Sequence, residues 1–161
     1  MSSPKPNSNE TSALEYHGEL VGSATVRAPG VCGELVQGIR EDIYFLVTCP
    51  VDFYSRVRVD LYSNGANEDA PKFEASAVCP KAVEALLATL AYLERDELAA
   101  RITVGSPIPR SKGMGSSTAD VAATIAGTGL ALGVELAPEV VARIAVSVEP
   151  PDGGMFPGGT L

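Results

Sequence analysis

From Phe53 to Tyr62 the chain alternates, with Val57, Val59 and Leu61 on one side and Arg56, Arg58 and Asp60 on the other, the period of a half-exposed β-strand. The preceding stretch IYFLVTCPV (43–51) is almost continuously apolar, as in a strand covered on both faces. Together the two predict a hairpin, 43–51 against 53–62. Upstream, SATVRAPG (23–30) is rich in β-branched residues and ends on Pro-Gly, which predicts a short strand closed by a turn. SNGANEDAPK (63–72) is dense in turn formers and predicts a loop.

Beyond Pro80 the apolar spacing changes to threes and fours. Val83, Leu86, Leu87, Leu90 and Leu93 predict an amphipathic helix over 80–94. RITVGSPIP (101–109) returns to β character until two prolines stop it. An apolar stretch over 116–131 and PEVVARIAVSV (138–148), with Pro138 in a favoured first-turn position, predict two further helices. Strands first and helices later, with a strand between two helices, give an α+β fold of two layers, sheet and helices.

Composition narrows the function classes. The chain has 161 residues, 45% of them hydrophobic, enough for one domain that buries about 70% of its unfolded surface. No apolar run approaches the ~18–20 residues a membrane span needs, so no membrane partner is expected. A net charge of -8 with scattered basic residues disfavours nucleic acid, whose phosphates demand clustered Lys and Arg. Three cysteines, Cys32, Cys49 and Cys79, at irregular spacing with a single histidine argue against a disulfide scaffold and a zinc site, and fit small buried hydrophobes in a reducing, cytoplasmic setting. Residues 1–20 read as a disordered tail without a secretory signal, and 21–161 as the domain. The ending EPPDGGMFPGGTL closes no helix or strand, and the expectation is that the chain is the front part of something longer.

The densest chemistry lies in PRSKGMGSSTAD (109–120). It fails the Walker A pattern, because Lys112 precedes the glycines, and it fails the Rossmann pattern, because Thr118 stands where the third glycine belongs. A glycine loop that opens a helix with hydroxyls is nonetheless suited to anions. The first helical turn has unpaired N–H groups and partial positive charge; Ser116, Ser117 and Thr118 add hydroxyls, and Lys112 adds a cation. The competing reading is a capping box, Ser117 at the cap with Asp120 three residues on. Spacing alone leaves the two level.

The segment PIPRSKGMGSSTA resembles the central signature of the GHMP kinases, small-molecule kinases for galactose, homoserine, mevalonate and phosphomevalonate. Thr118 departs from the Ala, Gly or Ser usual there. RAPGVCGELVQG (27–38) stands where that superfamily has its N-terminal motif, and CGELVQG, CPVDFYSRV, SKGMGSSTAD and EPPDGGMFPG in order resemble its L-threonine kinases of cobalamin side-chain synthesis. The resemblance implies a ribosomal protein S5 domain 2-like fold without the second domain, and ATP-dependent, Mg²⁺-assisted phosphorylation of a small hydroxylated acceptor. L-threonine is favoured over homoserine, mevalonate or a sugar, with a non-catalytic nucleotide-binding module as the alternative. It further implies ATP contacts at Pro109, Ser111, Lys112, Gly113, Met114, Gly115, Ser116, Ser117 and Thr118, and acceptor contacts at Gly33, Glu34 and Gln37. Mg²⁺ would be held by Ser117 and Glu149, and catalytic roles fall to Lys112 and Asp152. A face left open by the missing domain would favour self-association.

Overall fold

The computed structural model describes residues 18–63, 73–75, 79–110 and 112–148. Four strands, β1 (Leu20–Arg40), β2 (Ile43–Tyr62), β3 (Phe73–Ala75) and β4 (Ala99–Gly105), form one sheet in the order β1-β2-β4-β3. β1–β2 and β2–β4 are antiparallel, whereas β3 runs parallel to β4. Three helices, α1 (Pro80–Tyr92), α2 (Ser116–Ala131) and α3 (Pro138–Val148), complete the α+β fold expected from the sequence.

Two expectations for the strands fail. Residues 43–62 form a single strand, so there is no hairpin between 43–51 and 53–62. The reversal lies at Glu41 and Asp42, whose φ values of 53° and 64° are those of a two-residue primed turn. Nor does Pro29-Gly30 end a strand: β1 passes through it to Arg40, absorbing the proline in a register shift between Pro29 and Val31, as prolines in sheets require. β4 ends at Gly105, ahead of Pro107 and Pro109, the prolines expected to stop it. The parallel strand β3 has no counterpart among the sequence expectations.

The alternation in β2 is realised as predicted. Val57, Val59 and Leu61 are fully buried and pack with Ala100 and Ile102 of β4, Leu86 and Leu90 of α1, and Ala123 of α2. Each buried aliphatic side chain of this size contributes about 1.5–3 kcal/mol. A second cluster, Ala85, Val121, Ile125, Ile144 and Ala145, joins the three helices. α2 is buried on nearly every side, and its small residues allow this: a Cβ on Gly127 would lie 3.2 Å from Val59. The hydroxyls of Thr124 and Thr128 donate to carbonyls one turn back at 2.7 and 2.8 Å, so these two buried hydroxyls are satisfied within the helix itself. Of the cysteines, Cys79 is buried as expected, whereas Cys32 and Cys49 are exposed.

Candidate functional site

Beyond Gly105 the chain leaves β4, and Gly113 (φ 68°) and Gly115 (φ 61°) bend it into α2 through left-handed conformations that favour glycine. Gly115 itself is the N-cap, with no side-chain capping bond. The first helical bond runs from Ala119 N–H to the Gly115 carbonyl at 2.9 Å, leaving the preceding N–H groups without partners in the helix ladder. The capping box is therefore corrected: Ser117 lies inside the helix, and Asp120 does not cap it.

Asp120 is instead fully buried. Its carboxylate accepts a hydrogen bond from Ser55 Oγ and pairs with Arg110 Nη2 at 3.5 Å. Cys79 leans on the same carboxylate. Its thiol pKa is raised, chiefly by burial and further by a hydrogen bond to Asp120 and that group's charge, against a lowering by the Ala82 N–H. The cluster ties β2, the loop before α2 and the start of α1 to the first turns of α2. Nothing local in the sequence marks it, because Ser55 and Cys79 are distant in the chain.

β1 closes on the loop from the other side. The Val31 N–H donates to the Met114 carbonyl at 3.0 Å, and a Cβ at Gly30 would stand 2.9 Å from that oxygen and 3.2 Å from Ile108. The two segments singled out in the sequence, RAPG and KGMGSS, thus meet at one place. Between β1 and the first turn of α2 lies a cavity of about 100 Å³ lined by Ala28, Pro29, Val31, Gly115, Thr118, Ala119 and Ala122.

At the helix start the hydroxyls differ. Ser116 Oγ is buried with no hydrogen-bond partner among the described residues, Ser117 is half-buried and Thr118 is buried. Lys112, Gly113 and Pro109 are exposed, with Met114 half-buried. Of Gly33 and Glu34 the strand position alone is described: Glu34 pairs with Thr48 in β1–β2, flanked by register shifts, rather than following a turn. Gln37 is exposed and lies six residues past Val31, on the order of 20 Å along an extended strand, so the described structure does not bring it to the loop. Ser111, Glu149 and Asp152 lie outside the described residues. Among the described residues no three His, Cys, Asp or Glu side chains cluster to hold a metal.

This arrangement, a strand–loop–helix start with left-handed glycines, exposed Lys112 and an orphaned buried serine, suits a phosphate group. Residues 79–158 match the GHMP kinases N terminal domain. The chain carries a GHMP kinase N-terminal domain. It is 41% identical over 138 residues to an L-threonine kinase of Salmonella typhimurium (strain LT2), covering 86% of this chain and 44% of that one. It is 37% identical to an L-threonine kinase of Citrobacter freundii, covering 86% and 46%. Its fold resembles Methanococcus jannaschii mevalonate kinase, with a TM-score of 0.57, 18% identity, and coverage of 84% of this chain and 47% of that one. The chain thus spans less than half the length of these curated relatives.

Proposed function

We propose that this chain supplies the nucleotide-phosphate half of a cytoplasmic small-molecule kinase that transfers the γ-phosphoryl group of ATP to the hydroxyl of L-threonine. The observation that carries the reading is the start of α2. Ser116 Oγ is buried without a partner among the described residues, at a helix start whose glycines adopt left-handed φ and whose cap uses no side chain. An orphaned buried hydroxyl is costly unless a ligand or water completes it. The acceptor follows from the identity to L-threonine kinases.

Phosphoryl transfer asks a protein mainly for positioning and charge stabilisation. The helix-start N–H groups, Ser116, Ser117 and Thr118 would hold the phosphates, with Pro109, Ser111, Gly113, Met114 and Gly115 shaping the loop and Lys112 countering charge. Gly33 and Glu34 would line the acceptor side, with Gln37, farther along β1, outside direct reach of the phosphates. Asp152 would take the proton as the threonine oxygen bonds to phosphorus and the bond to the departing diphosphate breaks. Ser117 and Glu149 are the side chains assigned to Mg²⁺, which when bound neutralises phosphate charge.

Calorimetric titration of MgATP into the chain tests the cradle. Saturable binding weakened about tenfold or more by Ser117→Ala is the expected result. A folded chain that binds equally well with or without the hydroxyl would remove Ser117 from the site. In a chain assembled to the length of its relatives, Asp152→Asn should abolish phosphothreonine formation while nucleotide binding persists.

A further inference from the structure

We propose that Cys32 and Cys49 are an oxidisable dithiol that closes to a cross-strand disulfide when a low-molecular-weight disulfide is the oxidant. Cysteine count and spacing give no hint of this, because the two are brought together only by the pairing of β1 with β2. They are direct register partners, and both are exposed. Directly opposed residues on antiparallel strands project from the same face with Cα atoms ~4.5–5.5 Å apart, inside the ~4.4–6.8 Å that a disulfide spans. The register is regular at this point, since Val31↔Pro50 and Cys32↔Cys49 are consecutive pairs, and the irregularities lie on either side. The Cys49 thiol is exposed and makes a weak 3.6 Å contact with the Pro50 carbonyl, which leaves it open to exchange.

The setting gives the bond something to hold. β2 pairs with β4 from Arg56 to Tyr62, so towards the turn the described pairing of β2 is with β1 alone. A covalent bridge there would pin a two-stranded arm next to Gly33 and Glu34. Chemically, the thiolate of one cysteine attacks a sulfur of the oxidant, forming a mixed disulfide and releasing one small thiol. The second thiolate then attacks the protein sulfur of that mixed disulfide and releases the other small thiol. Two protein thiols lose two electrons, the oxidant gains them, and the two protons leave with the two small thiols. Register pairing gives the second step an effective concentration that free thiols in solution do not match.

Cys79 provides an internal control, being buried at 5% exposure and hydrogen-bonded to Asp120. The chain is incubated with oxidised glutathione, quenched by alkylation, and read by intact mass and peptide mapping. The expected product carries a Cys32–Cys49 link, exceeds the singly glutathionylated form by about tenfold, reverts with dithiothreitol, and leaves Cys79 reduced. Cys32→Ser and Cys49→Ser should each accumulate a mixed disulfide on the remaining cysteine. Glutathione on both Cys32 and Cys49 without the link, a link through Cys79, or intermolecular dimers as the main product in dilute protein would each overturn the proposal.

Discussion

At the scale of single residues, Gly30 controls how near β1 comes to the helix start. No larger residue takes its place without moving the Met114 carbonyl, which a Cβ there would approach to 2.9 Å, or Ile108. Gly30→Ala should therefore cost about 1–3 kcal/mol, the range for forcing extra atoms into a packed site, measured by urea denaturation. The same variant should weaken MgATP binding, because the loop and β1 are joined by the Val31–Met114 bond. Cys79 makes a prediction of opposite character, visible only at alkaline pH. Its thiol pKa is raised in the folded chain, so the folded state keeps a proton that the unfolded state gives up. That contribution is full below the unfolded thiol value, ~8.5, and is lost as pH rises through the folded value. Wild-type stability should fall more steeply than that of Cys79→Ala as pH is raised above ~8.5; parallel denaturation midpoints across that range would show that Cys79 carries no such linkage. Residue roles are partly legible in the sequence. The glycines and hydroxyls of 113–118 point to an anion site, whereas Asp120 reads as a cap because its partners Ser55 and Cys79 are distant in the chain and meet it only through packing.

At the scale of elements, the helices are legible and the strand reversals are not. α2 and α3 begin and end at the predicted residues, and α1 begins at Pro80 as predicted and ends two residues early, because the 3.6-residue period and the proline starts are local signals. The β1–β2 turn has no such signal. Primed two-residue turns favour Asn-Gly or Asp-Gly, and here Glu41 and Asp42 adopt positive φ without a glycine, while the turn-like Pro29-Gly30 is spent on a bulge. β3, three residues long, is too short to show a period. The turn carries a testable strain: placing L-residues at left-handed φ costs about 1–2 kcal/mol for a typical side chain and less for Asp. Replacing Glu41-Asp42 by Asn-Gly should stabilise the chain by about 1 kcal/mol, after the extra unfolded-state freedom of glycine is subtracted. Thermal and urea midpoints that stay level or drop would show that the turn is not of this type.

At the scale of the whole molecule, the helical layer covers one part of a longer hairpin. Where β1 and β2 run on towards their turn, apolar side chains face solvent: Leu35 is 62%, Val36 54% and Ile39 73% exposed. Val36 and Ile39 are separated by an odd number of positions along the strand, so they fall on opposite faces, and a single packing partner on one face would not cover both. Apolar surface exposed on both faces of the arm drives association, whereas the net charge of -8 opposes it through long-range repulsion. The two forces separate with salt, because screening shortens the repulsion to ~8 Å at physiological ionic strength and leaves apolar contact in place. The average mass by sedimentation equilibrium should therefore rise with protein concentration and rise further with added salt. Val36→Lys with Ile39→Lys should hold the chain as a monomer under the same conditions, with folding stability within about 0.5 kcal/mol per exposed site. Association that persists in the double variant would move the contact off the arm; a monomer at every salt concentration would mean that charge outweighs the exposed strand.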